Sequence, residues 1–151
     1  MFSRQKCLEY ARRYTYEYNN EFYDFSTMGG DCTNFISQCM FYGGFEMNFA
    51  PNGWYYVNLN NRSPSWTGVE EFWNFGINNA GKGVSFSLCE LNELEVADII
   101  QLYNGTRYYH TLLVTDVENE IRVTAHTYDA YNVPLNRYAY VSFRCGKIKT
   151  L

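Results

Sequence analysis

The sequence has no basic run, no long apolar stretch, no paired cysteine motif and only two histidines, and each shortage removes a class of function. Without a basic run, and with a net charge of −4, nucleic acid is a poor partner. An anionic membrane surface is poor for the same electrostatic reason. No run of about 18 apolar residues occurs, so no membrane-spanning helix is expected. The start, Met1-Phe2-Ser3-Arg4-Gln5-Lys6, lacks the apolar stretch of a signal peptide; the expectation is a cytoplasmic protein or one exported by another route. The five cysteines at 7, 32, 39, 89 and 145 are odd in number and include no C-x-x-C pair, which excludes a disulfide framework and the usual zinc and redox motifs. No cofactor and no metal are expected, and free thiols fit a reducing compartment.

What the chain does have is 151 residues, enough to bury a core without staples, and no repeat, linker or low-complexity tract. One domain over residues 1–151, acting as a monomer, is the expectation. Aromatics make up 19% of it, which suits a strand-rich fold whose rings mostly pack in the core.

Spacings of three and four among Cys7, Leu8, Ala11, Tyr14, Thr15 and Tyr18 predict a helix over 3–18. In Gly29-Gly30-Asp31-Cys32-Thr33-Asn34-Phe35-Ile36-Ser37-Gln38-Cys39-Met40-Phe41-Tyr42-Gly43-Gly44, the residues Phe35, Ile36, Cys39 and Met40 form one apolar stripe. Asp31 is the expected N-cap and Gly43 or Gly44 the terminator, so 32–42 reads as a short buried helix starting at Cys32. Thr67-Gly68-Val69-Glu70 matches a capping box and opens a third helix that Gly81-Lys82-Gly83 ends. The period then drops to two, giving strands over 84–88, 97–103, 108–116, 120–127 and 138–144. Helices first and strands afterwards predict an α+β fold with helices packed on an antiparallel sheet.

A thiol attacks a carbonyl as thiolate, and a helix N-terminus lowers a thiol's pKa through its free N–H groups and macrodipole. Cys32 is placed there, its own N–H free to serve an oxyanion, with glycines before it to turn the backbone. Asp31 would raise the thiol pKa unless it turns to cap the Thr33 and Asn34 amides. The two histidines lie on adjacent predicted strands. With a three-residue loop at 117–119, His110 falls opposite His126 on one face, with Cβ atoms about 5 Å apart; a two-residue loop would put them on opposite faces. Nucleophile, base and orienting residue would then be assembled as in a triad.

The stretch from Gly29 to Gln38 resembles the nucleophile motif of the bacterial "putative amidase domain" family, which belongs with the NlpC and CHAP types of papain-like cysteine amidases. Arg62-Ser63-Pro64-Ser65-Trp66-Thr67, Ala97-Asp98-Ile99-Ile100-Gln101, His110-Thr111 and His126-Thr127-Tyr128-Asp129 are similar to it in the same order. Family members often carry Gly where this chain has Ala97, a departure that looks harmless. The resemblance implies a papain-like fold, with Cys32 as nucleophile, His110 as base and His126 as orienting residue. It also implies hydrolysis of amide bonds, usually in peptides of bacterial peptidoglycan. Asp129 is the alternative orienting residue. Asp31, Trp54 and Trp66 are the substrate-contact candidates. Competing readings are a zinc hydrolase using Cys32, His110 and His126, an inactive glycan- or peptide-binding module, and an acyl transferase with the same triad.

Overall fold

The computed structural model describes residues 1–150. Ser3 caps helix α1 (Arg4–Tyr14) by accepting the Lys6 N–H at 3.2 Å. The helix stops four residues short of the expected end, because Thr15 folds its hydroxyl back onto the Ala11 carbonyl and the following tyrosines turn to tertiary partners. Helix α2 (Cys32–Gly43) starts where the sequence places it, and Gly44 ends it at φ 128°. Strands β1 (Tyr56–Asn58) and β2 (Asn61–Arg62) make a small ribbon. One turn, α3 (Pro64–Thr67), precedes helix α4 (Val69–Asn78). The expected capping box does not form: Thr67 belongs to α3, and Gly68 is the N-cap of α4 without a side-chain bond.

The second half is a six-stranded antiparallel sheet of β3 (Phe86–Cys89), β4 (Ile99–Tyr103), β5 (Tyr108–Asp116), β6 (Arg122–Ala125), β7 (Ala130–Pro134) and β8 (Ser142–Ile148). Its spatial order is β3-β8-β4-β5-β6-β7. The α+β reading with an antiparallel sheet therefore holds. The last strand begins at Ser142, not Tyr138, because Leu135–Arg137 form a 3-10 turn that diverts the tyrosine-rich segment. Strand β7 has no clear sequence signal, since Ala130-Tyr131-Asn132-Val133-Pro134 carries Asn and Pro in a short run.

Two apolar cores lie on the two faces of the sheet. One holds Phe35, Ile36, Cys39 and Met40 of α2 with Trp54, Trp66, Phe72, Phe86, Ile99 and Leu113. The other holds Ile100, Leu102, Leu112, Val114 and Val123. Alternation along β4 and β5 thus sends odd numbers toward the helices and even numbers away. Between β4 and β8 sits Asp98, fully buried. Its carboxylate accepts from Arg4 at 2.8 Å and from the Glu95 and Ile148 N–H groups at 2.8 and 2.9 Å, which ties α1 to the sheet.

Ala97, next to Asp98, holds φ at 73°, a region that costs a side chain about 1 kcal/mol or more. The absence of glycine here is therefore not neutral. Ala97→Gly should raise Tm by about 2–4 °C in a thermal melt. An unchanged or lower Tm would show that the position carries no strain.

Candidate active site

Gly29 and Gly30, at φ 90° and 107°, turn the chain into α2, and the Asp31 N–H donates to the Thr127 hydroxyl at 2.8 Å. Cys32 is the first residue of the helix and 7% exposed. Its N–H lies in the first turn, where backbone donors have no intrahelical partner. Burial pushes the thiol pKa up; the Thr111 N–H, the Thr33 hydroxyl and the Thr33 N–H pull it down, and the Asp31 charge adds a smaller upward push.

Asp31 does not cap the helix through backbone amides. One carboxylate oxygen accepts the Phe25 N–H and the Asn34 side-chain amide, each at 2.9 Å, and the other faces His126 Nδ1 at 2.6 Å. With 1% exposure and both oxygens occupied, Asp31 is not a substrate contact. Its partners are thus Phe25, Asn34 and His126, not the Thr33 and Asn34 backbone amides expected.

His126 is fully engaged. Its Nε2 donates to the Tyr14 carbonyl at 2.8 Å, and its ring is sandwiched between Tyr18 and Phe35, each with a centroid distance of 3.9 Å. The pair Asp31–His126 thus clamps the end of α1, the start of α2 and the loop after β6. Neither ring nitrogen is left for His110, so the arrangement in which His126 orients His110 does not form. The register explains why. Leu113 pairs with Thr124 and Val114 with Val123, a sum of 237 rather than the expected 236, so His110 and His126 take opposite faces. Asp129 is committed elsewhere, accepting from Tyr18 at 2.6 Å and the Thr127 N–H at 3.3 Å.

His110 opens the buried part of β5 and precedes Thr111, whose N–H pulls the Cys32 pKa down. Burial lowers its pKa to about 4, which leaves a neutral imidazole at neutral pH. Its ring lies 5.5 Å from that of Tyr138. The Tyr138 hydroxyl is buried without a hydrogen-bond partner among the described residues, and burial pushes its pKa up. Nothing in the sequence singles out Tyr138, because its segment reads as strand. Thr33, Thr111 and Gln101, which also reach the site, stand inside the quoted motifs but carry no chemistry recognisable from residue type alone.

The neutral burial of His110 has a measurable consequence. Above pH about 6.5 the ring is uncharged in both folded and unfolded chains. As pH falls toward about 4, the unfolded chain binds the proton first, so stability drops by on the order of 3 kcal/mol over that window. Urea melts of His110→Gln should lose this part of the pH dependence; an unchanged slope would contradict it.

Trp54 and Trp66 are both 0% exposed and do not line a groove. Their indole N–H groups donate to Ser37 and Asn34, at 3.2 and 3.0 Å, and the Tyr10 hydroxyl donates to Gln38 at 2.6 Å. The polar side of α2 is buried because it satisfies these aromatic handles. Nor do Cys32, His110 and His126 form a metal site: among the described residues no three His, Cys, Asp or Glu side chains converge as metal ligands. All five cysteines are free thiols.

A thiol at a buried helix start, packed on an antiparallel sheet that also carries a buried neutral histidine, offers residue types suited to nucleophilic chemistry. The chain belongs to the family described as the putative amidase domain, whose profile matches residues 1–147. That description names amide hydrolysis as the family's chemistry. The chain is similar to the uncharacterized protein YhbB of Bacillus subtilis (strain 168), at 31% identity over 137 residues. The match covers 85% of this chain and 42% of the relative, so the chain spans about two fifths of that protein's length. No solved structure matches it.

Proposed function

We propose that the protein is a cysteine-dependent amidase of papain-like type, with Cys32 as nucleophile and His110 as general base. The observation that carries this reading is Cys32 as the first residue of α2, where the Thr111 N–H, one residue after His110, favours its thiolate. Burial raises the thiol pKa and lowers that of His110, so the resting pair is uncharged. Proton transfer then accompanies attack. His110 takes the Cys32 proton as the sulfur bonds to the amide carbon. The oxyanion is met by the Cys32 N–H and by Tyr138, whose hydroxyl is otherwise unpaired. The imidazolium protonates the leaving amine as the C–N bond breaks. Water, deprotonated by His110, attacks the thioester and releases the acid with the thiol restored.

Asp31 and His126 support this site by fixing the helix start, not by touching the base. The substrate class is the peptide of bacterial peptidoglycan, to which the family resemblance points. Incubation with purified cell-wall peptide fragments and with unrelated acyl-peptide amides, read by mass spectrometry, tests the reading. Cleavage of the fragments with a new amine terminus is expected. Cleavage of the unrelated amides alone would overturn the substrate; cleavage of neither would overturn the activity.

A further inference from the structure

We propose that Arg144, Gln101, Thr111 and Thr33 form a one-way hydrogen-bond relay that ends in a hydroxyl donor on the Cys32 sulfur. The contacts are continuous. Arg144 donates through Nη2 and Nε to Gln101 Oε1 at 2.6 and 3.0 Å. Gln101 Nε2 donates to Thr111 Oγ1 at 3.1 Å. Thr111 Oγ1 lies 2.9 Å from Thr33 Oγ1, which lies 3.7 Å from Cys32 Sγ.

The direction follows from who can donate. A guanidinium has no acceptor, so Arg144 fixes which end of the Gln101 amide is oxygen. The other end, an NH2, gives one hydrogen to the Val69 carbonyl at 2.9 Å and the second to Thr111. Thr111 therefore accepts from Gln101, and its own hydrogen has one oxygen left to reach, that of Thr33. Thr33 accepts in turn, and its hydrogen points to the sulfur. Gln101 and Thr111 are 0% exposed and Thr33 1%, so water does not compete along the line. Arg144 is itself held, stacked over Tyr108 and Trp73 at 3.6 and 4.2 Å and bonded to Glu70 at 3.1 Å.

A sulfur facing a hydroxyl that can only donate is better placed as thiolate than as thiol. The relay opposes the burial that raises the Cys32 pKa, and its residues are positioning residues acting through Thr33. This inference rests on the proposed role of Cys32, but its test needs no amide substrate. The pH dependence of Cys32 alkylation by iodoacetamide, read on the Cys32 peptide by mass spectrometry, gives the apparent thiol pKa.

Thr33→Val and Thr111→Val should each raise that pKa by about one unit, a tenfold loss of thiolate below the transition. Thr33→Ser and Thr111→Ser should restore it. Because the links act in series, the double valine variant should shift it no further than the larger single change. Valine variants that titrate like wild type, or shifts that add, would overturn the relay. Should a valine variant fail to fold, Arg144→Gln at the partly exposed end should still raise the pKa, and a wild-type titration there would overturn it equally. Whether Cys32 is the nucleophile is judged separately, by hydrolysis with Cys32→Ala.

Discussion

Cys32→Ala should lower amide hydrolysis by at least about 10³-fold while leaving the far-ultraviolet circular dichroism unchanged. The loss follows from chemistry: without sulfur no thioester forms, and what remains is binding and oxyanion stabilisation. Cys89→Ala, at a half-buried thiol on β3, should keep the wild-type rate. His110→Ala should approach the Cys32→Ala loss, because a nucleophile and its base act as one unit. Tyr138→Phe should lose about 10²-fold, the effect of one oxyanion donor. A Cys32→Ala protein within tenfold of wild type would contradict the series at its first member.

Asp31→Ala should be the most destabilising single change near the site, by about 3–5 kcal/mol. The substitution strips a buried acceptor from the Phe25 N–H, the Asn34 amide and the His126 ring at once. At this chain length, that corresponds to a fall in Tm of about 10–15 °C. Asp31→Asn should recover most of the loss. Its oxygen still accepts from Phe25 and Asn34, and its NH2 can donate to Nδ1 of a neutral His126, whose Nε2 already donates to Tyr14. Thermal melts decide between the roles. If Asp31→Ala kept its Tm but lost activity, the pair would act in catalysis and not as a clamp.

The setting of Cys32 is legible in the sequence because the physics there is local. The apolar stripe of Phe35, Ile36, Cys39 and Met40, the glycines before Asp31 and the terminator Gly44 all act within a few residues of Cys32. Strand β5 was legible for the same reason, since its alternation runs unbroken from Tyr108 to Asp116. The errors arose where partners lie far apart in sequence. A one-residue difference in the β5–β6 register moved His126 to the opposite face from His110. Trp54 and Trp66 come from irregular sequence, which suggests a groove, yet Ser37 and Asn34 of α2 draw both indoles into the core. Asp31 occupies the capping position but binds a histidine 95 residues away. Gln101, Thr111 and Thr33 could not be connected before strands β4 and β5 and helix α2 were seen side by side.

The central claim is that Cys32 carries the acyl group. It is tested most directly by acid-quenching the protein during turnover of a cleaved cell-wall peptide, digesting it, and measuring the mass of the Cys32 peptide. The account predicts an added mass equal to the acyl half of the substrate, labile to hydroxylamine and absent after Cys32→Ala. Continued turnover with the Cys32 peptide unmodified, or with the label on another residue, would contradict it.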